Sequence, residues 1–259
     1  MYNKTNLIMP QMKDVFYFNS EPKSFEDIFF DSHAHIQYDL SITTEDVIKN
    51  AKSAKLNKIV CVGTDAKTSL KALNLAKNYQ GFVYATAGLH PYESDKNFQE
   101  ILEIFNTNKN LVAVGETGLD FYNCKIEKTI QIESLKKHAS LAAKLNLPII
   151  LHLRPFDECF DPIIAILEQE NVKKAIFHCF SGNLEQAKLI WAKGFKTSFA
   201  CNVTYKKNSE LLKIFKACPL KNLLIETDTP YLSPQKLRGS ENQPANIKYL
   251  KSIYYGETT

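Results

Sequence analysis

The sequence predicts an α/β fold and, within that class, a (β/α)8 TIM barrel. Short apolar segments rich in β-branched and aromatic residues alternate with segments of helical periodicity. The apolar segments are continuous, which is typical of parallel strands covered by helices. Eight strand–helix units fit into residues 25–259, whereas a doubly wound sheet usually has fewer strands. The number of units therefore favours a closed barrel.

The predicted elements alternate regularly along the chain. The strands are Ile28–Asp31, Lys58–Val62, Val83–Ala87, Leu111–Gly115, Pro148–His152, Ala175–His178, Lys196–Phe199 and Asn222–Glu226. The helices are 44–56, 66–79, 95–108, 127–146, 157–170, 183–193 and 208–218, with an eighth after residue 243. In the longest of these, Leu135, Ala139 and Ala142 form one apolar stripe, and Lys136 and Lys137 lie off it.

The chain is predicted to form one domain, because no segment resembles a linker between domains. We expect residues 25–259 to form this domain. Residues 1–24 lack the apolar segment and cleavage site of a secretory signal, and we expect them to be a leader outside the main fold.

The composition excludes several classes of protein. At 44% hydrophobic and 23% charged residues, the chain can form a large core, which excludes a disordered or fibrous protein. No apolar run reaches the ~18 residues of a membrane span. The six cysteines lack the spacing of a disulfide or zinc motif, which favours a reducing compartment. We expect a cytoplasmic monomer whose net charge of +4 is only weak support for a polyanionic partner.

Ionisable residues are concentrated at the carboxyl ends of the predicted strands, where TIM barrels carry their chemistry. Five of the six histidines fall there, and two carboxylates lie at the ends of the fourth and eighth strands. These residues are His33, His35, His90, His152, His178, Glu116 and Asp228. The remaining histidine, His138, lies on a predicted helix and is expected to serve packing.

Most of this set has the character of a metal site. His33 and His35 are two residues apart in an extended segment, so both imidazoles face one side and can share an ion. Burying the set without a cation would be costly. Six ligands exceed the needs of one tetrahedral ion, whereas two divalent ions with one bridging carboxylate account for them. The ligands are His33, His35, His152, His178, Asp228 and, as the bridge, Glu116.

The identity of the ions is constrained by the ligand types. Mixed imidazole and carboxylate ligands suit Zn²⁺ or Mn²⁺ better than Mg²⁺, which prefers oxygen ligands but commonly supports nuclease activity.

Arginine is rare in this lysine-rich chain. Only Arg154 and Arg238 occur among 32 basic residues, and both follow predicted strands. A planar, bidentate cation suits recognition of phosphate, although such residues also pair with carboxylates to stiffen loops.

Several ordered motifs make the sequence resemble the TatD family of metal-dependent hydrolases and deoxyribonucleases. The resemblance covers residues 28–250. Its motifs are Asp-x-His-x-His, Gly-Leu-His-Pro, Gly-Glu-Thr-Gly-Leu-Asp-Phe-Tyr, Leu-Pro-Ile-Ile-Leu-His-Leu-Arg, His-Cys-Phe-Ser-Gly, Glu-Thr-Asp-Thr-Pro-Tyr-Leu, and Arg238-Gly239 followed by Asn242-Gln243-Pro244. Together they are specific, although any one of them would be weak.

The resemblance implies a barrel that holds two divalent metal ions and hydrolyses phosphodiester bonds in DNA, as a 3′-5′ exonuclease. It implies that one ion lies among His33, His35, Glu116 and Asp228, and the second among Glu116, His152 and His178. A water bridging the metals would attack phosphorus. The substrate, DNA or another phosphodiester, would also contact Arg154, Arg238, His90 and Asn242.

Three residues are expected to act directly in catalysis. Asp228 is the expected proton acceptor for the attacking water, Glu116 holds both metals, and His90 assists the leaving oxygen. Both arginines would balance charge as it grows on the phosphoryl group.

Two other functions compete with this interpretation. One is an amidohydrolase-type enzyme acting on a small amide, lactone or phosphoester. Such sites commonly use a carbamylated lysine where this chain has Glu116. The other is a barrel that binds metal or nucleic acid without catalysis. Only the nuclease is expected to cleave DNA in a reaction that a chelator inhibits, so this assay distinguishes it from both alternatives.

The sequence also departs from the family pattern. Residues 1–24 are extra, the chain stops at Thr259 short of a further helical segment, and Cys201 stands where the family often has glycine. In addition, the predicted rim loops contain aromatic residues that either stack bases or pack locally: Phe121, Tyr122, Tyr205 and Tyr231.

Overall fold

A ring of eight parallel strands forms the centre of the protein. The structure is a computed structural model and describes residues 15–17 and 20–257. The strands are β1 Asp31–Ala34, β2 Ile59–Cys61, β3 Val83–Ala87, β4 Leu111–Asp120, β5 Ile149–Arg154, β6 Ala175–Phe177, β7 Lys196–Phe199 and β8 Leu223–Ile225. Each strand pairs in parallel with the next one along the chain.

The ring closes between β1 and the segment that follows β8. Ala34 forms a parallel bridge with Thr229, and the backbone N–H of Asp228 donates to the carbonyl of His33 at 2.9 Å. The predicted TIM barrel is confirmed. Its closure brings residues from the two ends of the chain together at the carboxyl rim.

Helices cover the outside of the ring. They are α1 Thr44–Ser53, α2 Ala66–Asn78, α3 Phe98–Thr107, α4 Lys128–Leu145, α5 Phe156–Gln169, α6 Leu184–Ala192, α7 Ser209–Ala217 and α8 Lys248–Tyr255. Side chains that accept a backbone N–H start four of them, at Thr43, Asp65, Asn97 and Asn183. None of the described helices is long and apolar enough to cross a membrane.

The first strand begins three residues later than predicted. Phe25–Ile28 forms a short 3-10 helix, because Ser24 and Asp27 form a capping box at its start. This local hydrogen bonding outweighs the β propensity of the apolar residues. As a result, His33 lies inside β1 and His35 directly after it.

The segment expected to lie outside the fold partly enters it. Val15 and Phe16 are buried against the residues that line the barrel interior, including Val60, Ile150 and Leu224. The Nζ atom of Lys58, next to β2, donates to the carbonyl of Val15 at 3.0 Å. The expectation of an external leader therefore fails for these residues, which close the amino-terminal end of the barrel. Residues 1–14, 18 and 19 lie outside the described residues.

We predict that Phe16→Ala lowers the free energy of unfolding by about 3–5 kcal/mol, because it removes a fully buried ring and leaves a cavity. Urea unfolding followed by circular dichroism measures the change. Leu70→Ala is the control, since Leu70 is 53% exposed on α2 and its truncation leaves no cavity. Equal stability of the two variants would show that residues 15–17 do not contribute to the core.

Candidate metal centre

Imidazoles and carboxylates on six strands or the loops after them meet at the carboxyl mouth of the barrel. His33, His35, Glu116 and His178 are almost completely buried there. The structure contains three groups of three such residues, and within each group the potential ligand atoms lie within 4.8 Å of one another. The groups are His33–Glu116–His178, His33–His35–Asp228 and His90–Glu116–His152. The structure therefore brings together all six residues that the sequence predicted as ligands.

The carboxylate of Glu116 faces two separate sets of imidazoles. Its Oε2 atom lies 3.2 Å from Nε2 of His33 and 3.8 Å from Nε2 of His35. Its Oε1 atom lies 3.1 Å from Nδ1 of His152 and 3.2 Å from Nε2 of His178. Each oxygen thus belongs to a different set, as a bridging carboxylate requires.

Asp228 completes the set around Oε2 of Glu116. Its Oδ1 atom lies 3.9 Å from Nε2 of His33 and 3.7 Å from Nε2 of His35. The residue has a φ of 56°, a left-handed conformation that is uncommon outside glycine and frequent at functional sites. The backbone turns sharply here as β8 ends.

Three of the four clustered histidines use their second ring nitrogen to contact a fixed group. Nδ1 of His35 lies 2.9 Å from the carbonyl oxygen of Val62. Nε2 of His152 lies 3.3 Å from Oδ2 of Asp120, and Nδ1 of His178 lies 3.0 Å from Oε1 of Glu226. Such contacts fix the tautomer and orientation of metal-binding imidazoles. Each contact leaves the opposite ring nitrogen aimed at the cluster.

The donor set fits divalent cations. The Nε2 atoms of His33 and His35 are 3.2 Å apart, and both are near an oxygen of Glu116. Imidazole nitrogens bind metal through a lone pair, so such a convergence is stable when a cation lies between them. The cluster can hold ions on both sides of the Glu116 carboxylate.

The charges of the cluster depend on burial and on mutual proximity. Burial opposes ionisation of Glu116, but His178, His33 and His90 outweigh it and hold the pKa of Glu116 well below its usual range. Burial lowers the pKa of His35 to about 3. Glu116 is therefore an anion and His35 a neutral imidazole, which are forms that metal ligation requires. In contrast, Glu226 and Glu116 outweigh burial and raise the pKa of His178 well above its usual value.

His90 is suited to donate a hydrogen bond rather than to bind metal. Its Nε2 atom lies 3.7 Å from Oε1 of Glu116, but its Nδ1 atom accepts the backbone N–H of Tyr92 at 3.2 Å. Burial lowers the pKa of His90 to about 4, so the ring is neutral. With Nδ1 used as an acceptor, its one proton is on Nε2. The backbone N–H of Leu89 donates to Nε2 of His138, which holds the loop before His90.

Gly118 allows β4 to lie close to β5 beside the cluster. Its φ of 149° disfavours other residues, and an added Cβ would lie against the carbonyl oxygen of His152. Gly118 and His152 are paired in register between β4 and β5. The glycine therefore permits the strand spacing that places His152 beside Glu116.

Both arginines lie on the carboxyl rim and are exposed. Within residues 15–17 and 20–257, neither forms an ion pair, so pairing with carboxylates does not explain them. Arg154 stacks over the ring of Tyr122 at 5.0 Å, and Arg238 over that of Tyr205 at 4.9 Å. Their guanidinium charges remain available to an anion at the mouth.

Asn242 is bonded within the fold. It is 1% exposed, and its side-chain amide donates to the carbonyl of Thr227 at 2.9 Å. Its side-chain oxygen accepts from Asn246 and from the backbone N–H of Gln243. These bonds join the segment after β8 to the turn before α8. The structure thus gives Asn242 a supporting position, and its contact with substrate stays a prediction.

Sequence reasoning overlooked the roles of Asp120 and Glu226, which support the histidines from behind. Both are completely buried. Glu226 accepts from His178, from the backbone N–H of Cys179 at 2.8 Å and from the hydroxyl of Ser198 at 2.5 Å. The sequence did contain a signal, because each of the two motifs has a second acidic residue: Asp120 beside Glu116, and Glu226 beside Asp228. One sequence cannot assign such a residue to a histidine on another strand.

Several known proteins are similar to this chain in sequence. A family model described as TatD related DNase matches residues 30–253. The uncharacterised metal-dependent hydrolase YabD of Bacillus subtilis is 36% identical over 231 residues, which cover 86% of this chain and 88% of that protein. The 3′-5′ ssDNA/RNA exonuclease TatD of Erwinia billingiae is 30% identical over 224 residues, 82% of this chain and 84% of that one.

A solved structure resembles the whole barrel. The crystal structure of YjjV, a TatD homologue from Escherichia coli K12, superposes with a TM-score of 0.79 at 29% identity. The match covers 88% of this chain and 90% of that one.

We predict that Glu226→Gln weakens divalent metal binding by about 10- to 100-fold, because it removes the carboxylate that orients His178. Calorimetric titration of the metal-free protein with Zn²⁺ or Mn²⁺ measures this effect. Glu185→Gln removes the same charge from an exposed position on α6 and is expected to leave the affinity unchanged. Unchanged metal affinity in a folded Glu226→Gln variant would refute the supporting role.

Proposed function

The chain belongs to the TatD family of metal-dependent hydrolases, and from this premise we propose that it is a nuclease that removes nucleotides from DNA in the 3′-5′ direction. The observation that carries the proposal is the Glu116 carboxylate, whose two oxygens face different sets of potential ligands. The loops of the same rim carry two exposed arginines. Two cations at such a bridge are the arrangement used for in-line displacement at phosphorus.

The proposed metal ligands are divided between the two oxygens of Glu116. His33, His35 and Asp228 would hold one ion with Oε2, and His152 and His178 would hold the other with Oε1. The ligand types favour Zn²⁺ or Mn²⁺. Bound ions supply Lewis acidity toward the phosphoryl oxygens and lower the pKa of a water.

The remaining residues act on the substrate and on protons. The carboxylate of Asp228 is 15% exposed, so it can accept a proton at the open side of the cluster. Nε2 of His90 can donate a hydrogen bond to the leaving oxygen. Arg154 and Arg238 neutralise the charge that develops on the phosphoryl group.

Relatives of the chain support this choice of substrate. The similar protein from Erwinia billingiae is named an exonuclease for single-stranded DNA and RNA. An amidohydrolase-type enzyme would instead cleave a small amide or lactone, and a non-catalytic barrel would cleave nothing. We also propose a reducing, cytoplasmic location, since all six cysteines are unpaired, four of them in the buried core.

We predict that a chelator abolishes hydrolysis of single-stranded DNA and that added Mn²⁺, Zn²⁺ or Mg²⁺ restores it, because no described side chain replaces the Lewis acid. End-labelled oligonucleotides resolved on a gel measure both the activity and its direction. Labels at the 3′ and 5′ ends distinguish 3′-5′ removal from internal cleavage. Cleavage that persists in the chelator would refute a metal-dependent nuclease. Hydrolysis of a small amide but not of DNA would favour the amidohydrolase alternative.

We predict that Asp228→Asn lowers kcat by about 10²- to 10⁴-fold, because the amide cannot accept a proton. The variant is expected to fold, since the backbone bond between residue 228 and His33 does not involve the side chain. Asp161→Asn on the exposed face of α5 is the control for loss of a carboxylate and should retain full activity. Near-normal turnover by Asp228→Asn, with metal bound, would assign proton transfer to another group.

A further inference from the structure

We propose that Tyr122 and Tyr231 form two nucleobase-binding sites that flank the metal centre. This inference rests on the proposed nuclease function and specifies the part of the substrate that the enzyme recognises. The residues lie in the loops after β4 and β8, respectively. They are outside the ligand cluster and have no part in the proton transfers.

Exposure distinguishes these two tyrosines from the other rim aromatics. Tyr122 is 68% exposed and Tyr231 is 54% exposed. Phe121 and Tyr205 are only partly exposed, and the hydroxyl of Tyr205 already donates to the carbonyl of Ser233 at 2.9 Å. Of these four residues, only Tyr122 and Tyr231 offer a large open aromatic surface.

The two open rings lie on opposite sides of the metal centre. In a closed ring of eight strands, β4 and β8 are four positions apart. Tyr231 lies beside the first set of ligands, with its ring centre 6.5 Å from that of His35. Tyr122 lies beside Asp120, which contacts His152 of the second set. A phosphodiester held at the centre therefore has one ring on each side.

Each tyrosine is held in place by an acidic residue of the centre. The backbone N–H of Tyr122 donates to Oδ1 of Asp120 at 3.0 Å. The backbone N–H of Tyr231 donates to the carbonyl of Asp228 at 2.8 Å. These bonds anchor the backbone of both loops at the edge of the cluster, so the two tyrosines are held beside the site.

Positive charge accompanies the aromatic surface. The guanidinium of Arg154 lies 5.0 Å from the centre of the Tyr122 ring, and Arg238 is in the same loop as Tyr231. A π surface beside a cation matches a nucleotide, which joins a flat base to a phosphate. Neither feature is needed by the water, the metals or the proton acceptor.

Steady-state kinetics on single-stranded oligonucleotides tests the proposal. Tyr122→Ala and Tyr231→Ala should each raise KM by about 5- to 150-fold with little change in kcat, whereas Tyr122→Phe and Tyr231→Phe should retain most of the affinity. Abasic residues on both sides of the scissile phosphate should raise the KM of the unmodified protein by a similar factor. The alanine variants should then show no further loss. Tyr255→Ala removes a 52% exposed tyrosine from α8 and is the matched control.

Equilibrium binding separates this inference from the nuclease function. Fluorescence anisotropy of a labelled oligonucleotide, measured with chelator present, does not require catalysis. Weaker binding by the alanine variants supports the base sites even if no substrate is cleaved. Unchanged binding and KM in both alanine variants, or equal losses on normal and abasic oligonucleotides, would overturn the proposal. Absence of metal-dependent cleavage with normal base binding would instead reject only the nuclease.

Discussion

The rest of the site depends on the burial of one carboxylate. Glu116 is 2% exposed, and a charged group at such a depth requires compensation from several directions. Imidazoles from β1, β5 and the end of β6 provide it. They can converge only because the strands form a closed ring with all carboxyl ends at one mouth. The fold and the chemistry therefore have the same requirement: eight parallel strands in one closed register.

Support for the cluster extends outward in layers. His178 contacts Glu226, and Glu226 is held in turn by Ser198 on β7 and the backbone N–H of Cys179. His152 contacts Asp120, which also accepts from the hydroxyl of Tyr92 at 3.2 Å. Because each layer fixes the next, the ring nitrogens are aimed before an ion binds. This preorganisation spares the protein the cost of ordering ligands during binding.

The sequence predicted the barrel and the convergence of imidazoles and carboxylates at its mouth because both follow from simple regularities. Strand ends alternate with helices, and the metal-ligand types cluster at those ends. The failures concern contacts between residues distant in the chain. Nothing local indicates that Phe16 packs inside the barrel, or that Glu226 supports a histidine 48 positions earlier. The start of β1 was misplaced because a capping box, whose bonds are local, overrode the apolar pattern.

The contrast between Asn242 and the other rim residues shows how the structure distinguishes residues that hold the fold together from residues that are free to contact a ligand. Asn242 had the residue type and position expected of a substrate contact, yet it is 1% exposed and bonds to Thr227, Gln243 and Asn246. If it turned to a phosphate, it would break these bonds, at a cost of about 1–3 kcal/mol each. Arg154 and Tyr122 contact each other but leave charge and ring surface exposed. Charge and ring surface left exposed at the mouth, more than residue type, therefore distinguish the residues that we propose to contact substrate.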